Sequence, residues 1–307
     1  ESNCSIWDPK YLTREGLDEL LYSNSGAGRE VYLVNNDLKT PYSDQFSLGV
    51  RGSFGVWDAE ASLSHIKSKD GFVWMLINRR PDGTFFEPGA TWGQPWGFGI
   101  PGYSNGLIGM NGLESEADSL YLKFDKPKVD DFWGVTIAYT YTDAQENRKS
   151  GENIALDYPS MDEYPWYDST SVPEHRLVIA GLFDLPAGVD FSVKLNLESV
   201  KTYMGLDCRA GNNACKYSTF KPDSDGFVGF KQLDIAFSKK IPTNWLSPDS
   251  ELGLRLDILN VTNAVNYGGY QDWHGAPGED LPANFAKPND TFDGPPTTLK
   301  LGVNWNW

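Results

Sequence analysis

The last residues of the chain, Thr297 to Trp307, read TTLKLGVNWNW and alternate strictly between apolar and polar side chains. Successive side chains of a β-strand point to opposite faces of a sheet, so this stretch predicts a strand with one apolar and one polar face. The apolar face consists of Leu299, Leu301, Val303, Trp305 and Trp307. The polar face carries lysine and asparagine side chains. The stretch therefore indicates a sheet whose two faces meet very different surroundings.

The same alternation recurs upstream and predicts an all-β chain. Trp133, Val135, Ile137, Tyr139 and Tyr141 share one face, with small and hydroxyl side chains between them. Aromatic and β-branched residues suit strands. The predicted strands are about 43–54, 57–67, 117–126, 132–143, 174–185, 188–203, 229–240, 251–263 and 297–307.

The connections between these strands alternate between short and long. The short ones lie around Gly55-Val56, Pro127 to Asp131, Pro186-Ala187 and Pro242 to Ser250; the long ones are 68–116, 144–173, 204–228 and 264–296. Transmembrane barrels have tight periplasmic turns and long extracellular loops, whereas sandwiches mix their connection lengths. We therefore predict a transmembrane antiparallel β-barrel portion over residues 43–307. Residues 1–42 are predicted to form an extracellular segment, with a short helix between Leu12 and Tyr22.

The number of predicted strands is odd, which has a topological consequence. The C-terminus then lies on the periplasmic side and residue 1 on the extracellular side. Bacterial single-chain barrels have even strand numbers. We therefore expect further strands before Glu1, in the same polypeptide or in a partner chain.

Aromatic residues cluster beside the short connections. A membrane barrel has rings at headgroup depth, so this clustering predicts a periplasmic aromatic girdle. The alternative is aromatic packing at the turns of a sandwich. The girdle would contain Phe54, Trp57, Trp133, Phe183 and Trp245.

Charge and cysteine content narrow the class of protein. The net charge is −16, which argues against a nucleic-acid partner and against docking on an anionic leaflet. Cys208 and Cys215 flank a Gly/Asn-rich turn, which predicts a local disulfide and an oxidising compartment. Two free thiols are the alternative. Cys4 is left over, either free or paired outside this chain.

No catalytic pattern is present, and we expect neither an enzyme nor a cofactor. The three histidines, His65, His175 and His274, form no metal-spaced motif, and there is no GxSxG sequence. The long loops combine carboxylates with aromatics, which predicts a ligand-contacting surface or calcium held on carboxylates. Loops that pack on themselves would look the same. The candidate ligand-facing aromatics are Trp92, Trp96, Trp166 and Tyr167.

Several segments resemble one known family, the Oar-like TonB-dependent receptors. Lys39 to Gly49 resembles the start of a late barrel strand, Pro173 to Pro186 their strand–turn pattern, Leu254 to Asn263 the penultimate strand, and Thr297 to Trp307 the terminal strand. The resemblance implies a barrel of roughly 22 strands in the Gram-negative outer membrane. It also implies an internal plug and energy from TonB, although neither a plug nor a TonB box occurs in this chain.

The resemblance further implies that the barrel-assembly machinery reads Leu299, Leu301, Val303, Trp305 and Trp307 as a terminal signal, with Trp307 where Phe is more usual. We therefore expect part of a TonB-dependent receptor or transporter of unknown substrate. Its partners would be outer-membrane lipid, the missing strands and plug, and TonB through that plug. The alternatives are a secreted β-sandwich, either a glycan-binding module or a glycosidase, and a passive porin or structural outer-membrane subunit.

Overall fold

A computed structural model describes residues 9, 13–16, 30–76, 105–148, 154–155, 161–211, 216–222, 227–289 and 291–307. The described residues are almost entirely β-structure. In chain order the strands are β1 (Glu30–Val34), β2 (Tyr42–Phe54), β3 (Trp57–Leu76), β4 (Asn105–Lys126), β5 (Trp133–Glu146), β6 (Ile154–Ala155), β7 (Tyr167–Asp168), β8 (His175–Leu185), β9 (Val189–Ser199), β10 (Tyr203–Asp207), β11 (Lys216–Phe220), β12 (Val228–Pro242), β13 (Glu251–Leu259), β14 (Trp273–Gly275) and β15 (Thr298–Asn306).

Nine long strands, called the nine-stranded sheet below, form the continuous path β15-β13-β12-β9-β8-β5-β4-β3-β2 of a 12-stranded sheet, and the short strands β1, β6 and β7 pair with it off this path. They are the nine strands that alternation predicted, and each pairs with its neighbours in sequence. The pairings resolved residue by residue are antiparallel, for example Phe54 opposite Trp57 and Leu185 opposite Val189. The predicted all-β antiparallel architecture is therefore confirmed. The sheet is open, because β2 and β15 lie at its two edges.

The predicted short connections are tight turns. Gly55 and Gly188 have φ angles of +60° and +67°, which glycine adopts without steric cost. The turn between β12 and β13 is held by side chains: the hydroxyls of Thr243 and Ser250 lie 2.8 Å apart, and Ser250 also donates to the Ser247 carbonyl. These turns fix neighbouring strands in register.

The predicted 68–116 loop was too long, because β3 and β4 extend through residues 68–76 and 105–116. The reason is visible at Phe72-Val73-Trp74-Met75, where alternation gives way to a continuous apolar run. Val73 and Met75 are buried, and the Phe72 and Trp74 rings meet edge to face at 5.0 Å. Strands covered on both faces lose the alternation that identifies half-exposed strands.

Two other predicted boundaries were also wrong. The strand expected at 188–203 divides into β9 and β10, because β9 stops pairing with β8 and β12 near Ser199. The strand expected at 251–263 ends at Leu259, because Asn260 turns into a left-handed conformation with φ +49°.

Of the predicted helix, residues 14–16 are helical, and the Gly16 amide donates to the Thr13 hydroxyl at 3.1 Å. The rest of that prediction lies outside the described residues.

The chain divides into two compact units. The first comprises Glu1–Thr40, Phe72–Gly112 and Asn153–Tyr164. In it, β1 pairs in parallel with the start of β4, and β6 pairs in parallel with the end of β3. Its core contains most of the buried apolar side chains that the structure describes: Val73, Met75, Leu107, Met161 and Tyr164. The sequence did not predict β1 or this core.

The second unit comprises Pro41–Gly71, Leu113–Glu152 and Pro165–Trp307. It contains most of the nine-stranded sheet and a separate three-stranded sheet, β11-β10-β14. Among the described residues, no helix has the length and apolar character needed to cross a membrane.

Candidate functional site

The polar face of the large sheet brings charged residues from separate strands into rows. In one row, Asp125 lies opposite Thr136, and Lys194 lies opposite Asp234 on the next strand along. The rows follow from alternation, because cross-strand partners share a face. Two carboxylates and one amine therefore lie in one row across this face, with Thr136 and Ala180 between them.

The best-defined ion pair of this face lies along β13, nearer the short turns, and joins two neighbouring rows. Arg255 donates to Asp257 from Nε at 3.0 Å and from Nη2 at 2.7 Å. Asp257 lies opposite Lys300 on the terminal strand. At the other end of this face, Arg176 lies 3.3 Å from Glu198. This face thus offers donors and acceptors of both signs.

The polar face also contains a concave region of about 550 Å³. Its lining includes Asp125, Lys194, Asp234 and Asp257, together with small side chains such as Ala180. A surface of this composition can bind water or the polar surface of another folded element. None of these lining residues is a histidine or cysteine.

On the opposite face, aromatic rings form a row beside the short turns. Trp57 and Trp133 meet edge to face at 6.2 Å, and Trp133 lies opposite Phe183. The row continues through two rings that the sequence reasoning did not include, Phe191 and Phe237, whose centroids are 5.1 Å apart. Their apolar-face positions close to turns were the signal that could have found them. Three predicted girdle residues therefore lie in one row.

The remaining two predicted girdle residues have different surroundings. Phe54 is opposite Trp57 on the edge strand. Trp245 stands in the β12–β13 turn with 78% of its surface exposed. A membrane role for the whole set stays a prediction.

A lysine on the apolar face fastens the β4–β5 turn. Lys126 is 5% exposed; its Nζ donates to Asp131 at 2.7 Å and to the Trp133 carbonyl at 2.8 Å. The ammonium also lies 4.1 Å from the centre of the Trp133 ring. The hydrogen bond from Lys126 lowers the pKa of Asp131, assisted by the Phe132 amide. The turn is therefore stabilised by an ion pair whose lysine is buried on the apolar face.

Asn260 joins β13 to the long loop that follows it. Its backbone amide donates to Asp234, and its side-chain Nδ2 donates to the carbonyls of Ala264 and Pro295 at 2.9 and 3.0 Å. Its Oδ1 accepts from the Ala264 amide at 2.9 Å. The residue is fully buried, so one side chain holds both ends of loop 264–296.

In the three-stranded sheet, the side chains of Asp207, His274 and Ser218 lie next to one another. Arg209 donates to Asp207 from Nε and Nη2 at 3.0 and 2.8 Å, which lowers the pKa of Asp207. His274 Nδ1 is 3.7 Å from Asp207, and its Nε2 is 3.4 Å from the Ser218 hydroxyl. Burial lowers the pKa of His274, so the ring is neutral at pH 7.

This arrangement is better suited to structural support than to hydrolysis. The Asp207–His274 distance exceeds a hydrogen bond, and the carboxylate is already bound by Arg209. Ser218 lies within a paired strand, opposite Gly205. A Cβ on residue 205 would lie 2.4 Å from the Asp272 carbonyl, so the strands approach closely there.

Aromatic packing ties loop 264–296 to the three-stranded sheet. Tyr203 meets Tyr270 at 4.8 Å, and Phe220 meets Phe285 at 4.8 Å. Burial, followed by the neighbouring Tyr270 and Asp293, raises the pKa of Tyr203 to about 12. These loop aromatics pack on one another, as the alternative for the long loops anticipated.

The predicted loop candidates are only partly described. Trp166 is 41% exposed with Lys67 Nζ 5.9 Å from its ring centre, whereas the Tyr167 hydroxyl donates to the Tyr217 carbonyl at 3.4 Å. Trp92 and Trp96 lie outside the described residues, so the ligand-contacting role of the four aromatics stays a prediction. A calcium site in the acidic loops stays a prediction.

The predicted terminal and cysteine features are as follows. Trp307 lies just past the end of β15, its exposed fraction is 83%, and its ring is 5.3 Å from that of Trp305. The rest of the apolar face of β15 is also exposed: Leu299, Leu301 and Val303.

Cys208 is buried and disulfide-bonded, and Cys215 lies outside the described residues, so their pairing stays a prediction.

Comparisons with known proteins agree with this architecture. The chain is similar to the outer membrane transporter YddB from Escherichia coli, with a TM-score of 0.56 and 13% identity over 91% of this chain and 33% of that one. It is also similar to the pyoverdine outer membrane receptor FpvA from Pseudomonas aeruginosa, with a TM-score of 0.50 and 11% identity over 92% of this chain and 32% of that one. No family model and no curated protein matches. The chain spans about one third of the length of these structures, and it has the fold of part of an outer-membrane transporter barrel.

Proposed function

We propose that this chain is the carboxy-terminal part of a TonB-dependent outer-membrane receptor–transporter, with its short turns in the periplasm and its long loops outside the cell. One observation carries the proposal. The apolar face of the large sheet remains accessible even in its central strands. Half-buried residues include Ile137, Ile179, Val193, Leu195, Ile235 and Leu256. In a sandwich these positions would be fully buried against a second sheet.

Strand length supports the same conclusion. Each strand of the nine-stranded sheet has at least 9 residues, and β2 has 13. A strand that crosses a bilayer at a tilt needs about 9–11 residues, whereas strands of soluble proteins average about 5–6. The aromatic row beside the short turns would then lie at the periplasmic headgroups, with Trp245 and Trp307 as exposed anchors.

The open sheet also requires partners under this proposal. Side chains of β2 and β15 are exposed almost throughout, and the two strands end the sheet. Unpaired strand edges cannot face lipid, because backbone groups in hydrocarbon must be hydrogen-bonded. We therefore propose that further strands, to a total of roughly 22, complete the barrel. The polar face would meet a plug that couples to TonB.

Membrane topology is the first test. A cysteine introduced by Asn244→Cys lies in a short turn, and one introduced by Glu279→Cys lies in loop 264–296. A membrane-impermeant maleimide applied to whole cells should label only the 279 variant above the wild-type background. Permeabilised cells should show both labels. Equal labelling in intact cells, or recovery of the protein in the soluble fraction, would reject the barrel and favour a secreted sandwich.

A receptor and a passive porin are separated by conductance. The purified protein in a planar bilayer should show no steady open channel, because a plug would occlude the lumen. A constant large conductance would favour the porin. The solved structures of similar fold are described as a transporter and a receptor, which supports a role in transport and no enzymatic activity.

A further inference from the structure

Three side chains with metal-binding atoms converge in the middle of two adjacent strands. His65 is on β3, and Glu116 and Asp118 are on β4. One imidazole nitrogen and one oxygen from each carboxylate all lie within 4.8 Å of one another. This group could not be predicted from the sequence, because residues 66–115 separate His65 from Glu116 along the chain.

Strand alternation explains why the three groups share a face. His65 lies two residues from Leu63, and Asp118 lies two residues from Leu120, so all four belong to the apolar face. On this face, the group lies farther from the short turns than Leu63 and Leu120 do. Its side chains are 36–68% exposed, which leaves them free to adjust and leaves the site open to solvent.

The distances suit a small divalent ion. His65 Nδ1 and Asp118 Oδ1 are 2.9 Å apart. With metal–ligand bonds of about 2.0–2.2 Å, ligand atoms around one ion are separated by roughly 2.9–4.4 Å. In the tetrahedral geometry usual for zinc this spacing is about 3.3–3.6 Å, so side-chain movements of about 1 Å bring all three atoms into coordination range.

A neighbouring lysine orients one carboxylate without occupying both of its oxygens. Lys67 Nζ donates to Glu116 Oε2 at 2.6 Å, and Oε1 remains for a metal. Hydrogen bonds of this kind to a ligating group are typical around metal sites. The two carboxylates and the one ammonium of this group carry a net charge of −1, which attracts a cation.

The ligand set selects among metals. Imidazole with carboxylates suits zinc and other first-row divalent ions, whereas calcium prefers oxygen ligands alone. Three protein ligands also leave coordination positions for water or another external group. We propose that His65, Glu116 and Asp118 bind one first-row divalent transition-metal ion, with zinc as the expected occupant and with open coordination positions facing away from the sheet.

The test uses the purified protein in detergent after treatment with a chelator. Zinc titration, by calorimetry or by competition with a chromophoric chelator, should reveal one site. His65→Gln, Asp118→Asn and Glu116→Gln should each weaken binding by at least about 10-fold. Cobalt in place of zinc should give a visible absorption band that the same variants lose. Binding should weaken on acidification, because the imidazole must be deprotonated to coordinate.

His175→Gln is the matched control. His175 is the first residue of β8. Its ring hydrogen-bonds the Tyr139 hydroxyl and is 3.9 Å from the Glu174 carboxylate. The His175→Gln variant should bind zinc with the same affinity as the wild type. Alkylating free thiols beforehand removes any contribution from Cys4.

Heat-dependent gel mobility would verify that every variant is folded, and Asp118→Asn and Glu116→Gln keep the shape of the side chain they replace. The proposal is overturned if the wild type binds no more zinc than a variant that carries all three substitutions. It is also overturned if the three single variants bind zinc as tightly as His175→Gln does. It is independent of the transport function, since zinc binding is measured on the isolated protein.

Discussion

Asn260 offers the sharpest test of how the long loops are held. Replacing it by alanine removes three buried side-chain hydrogen bonds, two to the carbonyls of Ala264 and Pro295 and one from the Ala264 amide. Each buried polar group left without a partner costs about 1 kcal/mol or more. Alanine at φ +49° adds about 1 kcal/mol of backbone strain. The free energy that keeps loop 264–296 closed should therefore fall by about 4 kcal/mol.

This loss should appear as opening of loop 264–296 and leave the sheet intact, because the broken bonds join the two ends of that loop. A change of about 4 kcal/mol corresponds to roughly a 1,000-fold larger open population. Limited proteolysis with a protease of broad specificity, with fragments mapped by mass spectrometry, should show faster cleavage within the loop. Cleavage reports the open population as long as reclosing is faster than cutting.

Asn263→Ala is the matched control for the strain. Asn263 has the same φ of +49°, but it is exposed and its Oδ1 accepts only long hydrogen bonds from Thr297. We expect a loss of about 1 kcal/mol there. Asn260→Gly should recover about the same amount relative to Asn260→Ala. Equal cleavage rates for the two alanine variants would refute the role assigned to the buried amide.

Further outcomes are expected at the short turns and in the three-stranded sheet. Lys126→Met should lower the midpoint of unfolding in urea, because it removes the ammonium that binds Asp131 and the Trp133 carbonyl, and a Lys126→Met/Asp131→Asn double variant should recover part of the loss. Gly205→Ala should loosen the β10–β14 contact and increase cleavage within 203–220; unchanged cleavage would contradict the close approach. Acidification below about pH 6.5 should favour opening of this sheet, because unfolded histidine takes up a proton there while the lowered pKa of His274 keeps the folded ring neutral. His274→Gln should remove this pH dependence of proteolysis, and its persistence would show that another group is responsible.

Much of the large sheet could be predicted because its signal is local. The alternation of Leu299, Leu301 and Val303 with polar neighbours needs no knowledge of the rest of the chain. The tight turns at Gly55 and Gly188 are equally local. Prediction failed where a strand is covered on both faces, as at Phe72 to Met75, since alternation is absent there.

The candidate sites were less predictable, because they depend on which residues of separate strands face each other. The sequence by itself determined that the chain forms long strands with one apolar and one polar face, connected by alternating short and long segments. Only the tertiary structure placed Phe191 and Phe237 in the aromatic row, closed a loop around Asn260, and brought His65 to Glu116 and Asp118. Periodicity is a property of neighbouring residues, whereas register is set by pairing between segments far apart in the chain.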